Sequence, residues 1–304
     1  MGGEGIEAKK NDIVERFGPW TAHNIHLGDE IYTMDRRIVG DEIRLKRVVQ
    51  IISDVACKSI SALRVLDLAC LEGLFAIELA QQGAEVVAIE GRTANIEKAR
   101  FAKEVLCLDR LTLHHDDVRN LSVEQYGKFD VVLCLGILYH LTVPDVFSFL
   151  ESVAEACGAF AIVETEVTPA PERCYVYNGR EYWGKMRLEH ADGSTAQERA
   201  QSLWASLDNL ASFCFTRPSL YNVLAHVGFT SVYECHNPRV DKGSGRLTIL
   251  ALKGTGQALR SSPLGRSLPE DNWPERGRIY AGAVKIGRLL PSRMQRLLAR
   301  LLLG

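Results

Sequence analysis

From residue 64 onward, short apolar runs alternate with longer stretches whose apolar residues recur every three or four positions. RVLDLA (64–69), EVVAIE (85–90), LTLHH (111–115), FDVVLCL (129–135) and AFAIVET (159–165) are the short runs, rich in β-branched residues, and they predict strands. GLFAIELAQQG (73–83), TANIEKARFAKEVLC (93–107) and VPDVFSFLESVAEAC (143–157) have helical spacing. Gly83 is placed to end the first helix and Thr93 to cap the second. Strands alternating with helices of this length imply βαβ units, and strands apolar on both faces imply a parallel sheet covered on both sides. RPSLYNVLAHVG (217–228) predicts one more helix, and FTSVYECH (229–236) and RLTILALK (246–253) predict a closing antiparallel pair.

Other stretches flank or interrupt this rhythm. Residues 41–57 have helical apolar spacing behind acids in the first turn. Residues 1–40 are polar and mixed, with Phe17, Trp20, His23, His26 and Tyr32 close together. Residues 166–215 are polar, rich in Tyr, Arg and Gly, and end in an expected helix near 196–213. The chain thus divides into an N-terminal cap or lid (1–44), a core (45–255) with 166–215 as an insertion, and a linker and amphipathic tail (256–304).

Apolar residues make up 46% and charged residues 24% of 304, enough for a sizeable buried core. Lys and Arg (36) nearly balance Asp and Glu (38), which gives no overall attraction to nucleic acid and argues against a DNA partner. No apolar run has the length of a membrane span, and the first residues lack a secretory pattern. The eight cysteines have no C-x-x-C spacing, so zinc ribbons and dithiol sites are not expected, and a reduced, cytoplasmic protein is.

Candidate chemistry begins at the first strand-to-helix turn, VLDLACLEG (65–73). A dinucleotide site would need G-x-G-x-x-G there, yet only Gly73 is present, beside the carboxylates of Asp67 and Glu72. Two carboxylates repel a pyrophosphate and suit a cationic ligand, such as the amino and sulfonium groups of S-adenosylmethionine. The second strand ends in Glu90, where an acid accepts hydrogen bonds from ribose hydroxyls. Asp116-Asp117-Val118 follows the third, where a carboxylate can accept from an adenine amino group. Arg92 and Asn95 stand beside the ribose position or on an exposed helix face.

VLDLACLEG, VVAIEGR, HHDDV and FDVVLCLGILYHL resemble the class I S-adenosylmethionine-dependent methyltransferases of small-molecule type, over about residues 45–255. The resemblance implies an α/β, doubly wound, seven-stranded Rossmann-like sheet with a reversed last strand. It places Asp67, Ala69 and Gly73 along the methionine part of the cofactor, Glu90 at the ribose, and Asp117 with Val118 at the adenine. Ala69 and Leu71 stand where the family usually has Gly, and a bulky residue at positive φ is costly.

Tyr139 and His140 follow the fourth strand, beside the expected sulfonium. His140 is a candidate general base, with an unperturbed pKa near neutrality, or packs against the following helix; Tyr139 would shape the site. Trp20, His23 and Tyr32 are candidate lid residues against the substrate, the alternative being a segment docked on the sheet. His23 and His26 lack a third metal ligand, so no metal is expected and a metal-dependent mechanism is the minor reading. Tyr175, Tyr177, Arg180, Tyr182, Trp183 and Arg187 are the candidate acceptor wall in the insertion, with Tyr182 and Trp183 singled out. Methyl transfer to a small molecule, O-directed and in secondary-metabolite or glycan biosynthesis, is the leading expectation. A tRNA wobble-uridine-type modifying enzyme and a catalytically silent cofactor-binding subunit are the alternatives. The tail (283–303) combines an apolar stripe with arginines, a pattern for docking on the core or a second copy or for an anionic membrane surface.

Overall fold

The structure is a computed structural model that describes residues 2–34, 42–236 and 245–255. The tail and its membrane or oligomer reading lie outside the described residues. A seven-stranded sheet carries the fold: β3 (Arg64–Leu68), β4 (Glu85–Glu90), β5 (Leu111–His115), β6 (Phe129–Leu135), β7 (Cys157–Glu166), β11 (Ser231–Cys235) and β12 (Arg246–Leu252). The order is β11-β12-β7-β6-β3-β4-β5. β3 to β7 run parallel, whereas β12 lies antiparallel between β7 and β11, the reversed last strand expected from the sequence.

Helices cover both faces because successive strand residues point to opposite sides. Val65, Val131, Leu133, Phe160 and Ile162 pack with Val48 and Ile52 of α2 (Glu42–Val55) and Phe75 and Leu79 of α3 (Leu74–Gln81). Leu66, Leu68, Val132, Ala161 and Val163 pack with Phe147, Leu150 and Val153 of α6 (Asp145–Ala156) and Leu220 and Leu224 of α8 (Arg217–His226). α3 begins at Gly73, with φ +89°, where a Cβ would sit 3.0 Å from the Ala99 Cβ. That glycine lets α3 approach α4 (Thr93–Val105).

Three expectations need correction. Thr93 is the first residue of α4, not its cap; Arg92 occupies the cap position and no side chain bonds the helix end. Residues 1–40 include a helix, α1 (Gly3–Phe17), which packs against α4, and a small hairpin, β1 (His26–Gly28) with β2 (Ile31–Tyr32). The helix expected near 196–213 is instead the short α7 (Ala196–Gln201), an irregular segment and then the strand β10 (Ala211–Phe215). β10 pairs with β9 (Arg180–Leu188), and β9 with β8 (Arg173–Tyr177), in a three-stranded antiparallel sheet. The alternating Phe213 and Phe215 side chains bury against Phe147, which fixes ASFCF as a strand. The remaining short helix of the core, α5, is Val123–Tyr126.

Candidate functional site

A cavity of about 400 Å³ opens beyond the carboxyl ends of β3, β4 and β6, the position at which open α/β sheets bind ligands. The turns after β3 (Asp67 to Leu71) and β4 (Glu90 to Arg92) form its floor, with Asn95 beside them and Asp117 to Arg119 along one side. Leu135 to Ile137 and Tyr139 to Leu141 line a second side, and Thr21, Ala22, His23 and Met34 close the N-terminal side. Leu203 to Asn209 of the insertion form the last wall.

The carboxylates differ in what they have left to offer. Asp67 is 2% exposed and its Oδ2 has no hydrogen-bond partner. Burial raises its pKa to about 7, helped by the charge of Glu90 and opposed by Arg44 and the Ala76 N–H. Asn95 Oδ1, also buried in the cavity wall, is a second unpartnered acceptor. Two orphaned acceptors in one buried pocket fit a ligand that brings donors or positive charge. Glu90 accepts from the Leu71 N–H (2.9 Å), the Arg92 N–H (2.8 Å) and Asn95 Nδ2 (3.4 Å), while burial still raises its pKa. Ala69 and Leu71 both take positive φ, +54° and +52°, so the turn keeps a left-handed shape without glycine.

Glu72 does not face the cavity. It is fully buried and accepts from the backbone N–H groups of Thr21, Ala22 and His23 at 2.8–3.2 Å and from Lys98 Nζ at 3.2 Å. The second carboxylate of the turn therefore anchors the N-terminal segment. Asp117 lines the cavity, and both its oxygens already bind Arg119. Val118 lies buried next to it.

His140 and Tyr139 both line the cavity. His140 Nδ1 is 2.9 Å from Glu189 Oε2. Burial acts to raise the Glu189 pKa, but hydrogen bonds from His140, Ser212 Oγ (2.6 Å) and the Ser206 N–H (2.8 Å) outweigh it and hold Glu189 ionised. An ionised partner makes Nδ1 the donor and leaves the lone pair on Nε2. The Tyr139 hydroxyl is bonded to Arg246 Nη2. Arg246 also meets Glu164 (3.4 Å), whose other oxygen takes Arg44 Nε at 2.6 Å.

Of the residues singled out from the sequence, Asp67, Ala69, Glu90, Arg92, Asn95, Asp117, Val118, Tyr139, His140 and His23 come together in this cavity. Five do not. Gly73 is the helix start described above. Trp20 packs against Phe101, ring centroids 5.7 Å apart. Tyr32 stacks on His26 at 4.7 Å, outside the cavity. Tyr182 is buried against Phe147, its hydroxyl 2.7 Å from His226 Nδ1. Trp183 lies on the outer side of the insertion sheet, 42% exposed. Sequence reasoning missed Glu189, Arg246 and the 203–209 wall. Among the described residues no cluster of three or more His, Cys, Asp or Glu could hold a metal.

A family described as a methyltransferase domain matches residues 65–158, the stretch that carries the β3, β4 and β6 turns. The chain contains a class I S-adenosylmethionine-dependent methyltransferase domain. This methyltransferase domain is 30% identical over 122 residues to a ubiquinone biosynthesis O-methyltransferase of Psychrobacter cryohalolentis, covering 39% of the present chain and 47% of that protein. A 72-residue stretch is 43% identical to the 23S rRNA (uracil(1939)-C(5))-methyltransferase RlmD of Shewanella halifaxensis, 23% of the present chain and 16% of that one. The chain thus spans less than half the length of these curated relatives. In fold it matches the N-terminal domain of EvdMO1, crystallised in the presence of S-adenosylhomocysteine and D-fucose. The TM-score is 0.64 at 21% identity, over 84% of this chain and 98% of that one. Among the described residues no helix is long and apolar enough to cross a membrane.

Proposed function

We propose that this methyltransferase domain binds S-adenosylmethionine in the cavity and transfers its methyl group to a hydroxyl of a small molecule held between His140 and the 203–209 wall. The observation that carries the reading is the His140–Glu189 pair at 2.9 Å in a cavity that also holds the unpartnered acceptors Asp67 Oδ2 and Asn95 Oδ1. The bound cofactor supplies a methyl group already activated by its sulfonium. The chain's part is to bind, orient and manage one proton.

Asp67 offers its carboxylate to the ligand's ammonium, and Glu90 and Asn95 offer oxygens to ribose hydroxyls. Asp117 retains acceptor capacity toward an adenine amino group while paired with Arg119. His140 Nε2 accepts the acceptor's hydroxyl proton, and Glu189 steadies the imidazolium formed. The relative named as a ubiquinone biosynthesis O-methyltransferase and the EvdMO1 domain crystallised with D-fucose support a small hydroxylated acceptor, as in secondary-metabolite or glycan biosynthesis.

The test uses the purified chain with S-adenosylmethionine and a panel of phenols and deoxysugars. His140→Ala is expected to lower turnover about 10²-fold or more and to leave S-adenosylhomocysteine affinity nearly unchanged. Wild-type turnover in that variant removes the base. Loss of activity to a chelator, restored by a divalent ion, replaces it with metal chemistry.

A further inference from the structure

We propose that Arg92 is a positioning residue that couples the cofactor-binding turn to the His140–Glu189 pair, an inference resting on the reading above. From the sequence Arg92 stands beside the ribose position or on an exposed helix face. In the structure its guanidinium turns to the insertion: Nη1 donates to the carbonyls of Arg199 (3.0 Å) and Ala200 (2.8 Å), and Nη2 to those of Ala205 (2.7 Å) and Ser206 (2.8 Å). The residue is 7% exposed. Hydrogen bonds with one charged partner are about twice as strong as neutral ones, so a buried guanidinium on four carbonyls is a firm clamp that ties the end of α7 to the middle of the cavity wall.

Ser206 makes the clamp matter for the chemistry. Its carbonyl is held by Arg92, and its N–H donates at 2.8 Å to Glu189 Oε2, the oxygen that meets His140 Nδ1. On the other side the Arg92 N–H donates to Glu90 Oε1 at 2.8 Å. Glu90, Arg92, Ser206, Glu189 and His140 therefore form an unbroken path from the ribose acid to the base. Contact at Gly91 supports it independently. A Cβ there would lie 2.5 Å from Leu207 Cδ1, so the wall rests directly on the turn that carries Glu90. Releasing the clamp leaves the Ser206 carbonyl to His190 Nε2 alone (2.8 Å) and lets residues 205 and 206 shift, which loosens the N–H that helps fix the Glu189 carboxylate toward Nδ1.

The experiment reads the imidazole directly and needs no acceptor. Long-range ¹⁵N–¹H spectra of the full chain, free and saturated with S-adenosylhomocysteine, report the His140 tautomer near pH 8, with His140→Gln for assignment. The wild type is expected to show one tautomer, protonated on Nδ1. Arg92→Ala and Glu189→Gln are both expected to show a mixture, with S-adenosylhomocysteine affinity in Arg92→Ala within about threefold of wild type by calorimetry. Arg92→Lys, which keeps the charge but loses the fork, is expected to fall between and guards against a misfolded alanine variant. An unchanged tautomer in both Arg92 variants overturns the coupling. So does an affinity loss of about tenfold or more with the tautomer intact, which makes Arg92 a cofactor ligand. Failure of the wild type to bind S-adenosylhomocysteine overturns the cofactor reading itself, and the coupling with it.

Discussion

Asp67 is buried, has one unpartnered oxygen and has a pKa raised to about 7, so near neutrality the empty cavity holds a mixture of acid and carboxylate. In the proposed binding mode the ammonium group of S-adenosylhomocysteine meets Asp67, and it binds the carboxylate and not the acid. Affinity is therefore expected to rise about tenfold from roughly pH 6 to 8, as the proton leaves. Calorimetry across that range checks it, and Asp67→Asn is expected to bind more weakly with a flat profile. A flat profile in the wild type would separate Asp67 from the ligand. Leu71 shows the other side of residue-scale design. A non-glycine residue in left-handed geometry costs roughly 1–2 kcal/mol, and here the turn regains a bond from the Leu71 N–H to Glu90.

At the scale of elements, α3 and the N-terminal segment are joined through one carboxylate. Glu72→Ala removes the acceptor of three backbone N–H groups and leaves Lys98 buried without its anion. A loss of about 3–5 kcal/mol in urea unfolding is expected, with new proteolysis between residues 18 and 24. A change below about 1 kcal/mol would show that the segment holds by apolar packing alone. The same level explains what could be read in advance. β4 and β6 span the residues read from the sequence because runs covered on both faces are largely apolar, and the edge strand β5 is read from the alternation of Leu111, Thr112 and Leu113. α1 was hidden because its few apolar positions, Ile6, Ala8, Ile13, Val14 and Phe17, are set among charges and no side chain caps it. The insertion strands were hidden because one face stays in water, where Val176 and Trp183 are exposed and break the alternation. The partner of His140 was hidden for a geometric reason. Glu189 is 49 residues away and reaches it only through the β9–β10 register.

For the whole molecule, the buried acid sets a pH dependence of stability. The folded pKa of Asp67, about 7, exceeds its ordinary value of 3.8, so its contribution is fully present below that ordinary value and is lost as pH rises through 7. The ligand-free protein is expected to unfold at lower urea as pH rises from about 5 to 8, and Asp67→Asn to reduce that slope. S-adenosylhomocysteine at about 100 times its Kd should return about 2.7 kcal/mol. A urea midpoint that climbs over this interval would contradict the assignment. The insertion has a different consequence. It leaves and rejoins the core at neighbouring points, where Thr168 and Thr216 form a parallel bridge and the Thr168 N–H donates to the Phe215 carbonyl at 2.9 Å. Such a segment is a cassette: its two ends are already joined, so another of different length can be grafted there, provided that it keeps the aromatic side chains that Phe213 and Phe215 bring to Phe147. Under the proposed mechanism, inheritance of new acceptor preferences by exchange has a second condition. The incoming cassette must bring its own carboxylate to His140, or it will receive a new molecule and methylate it slowly.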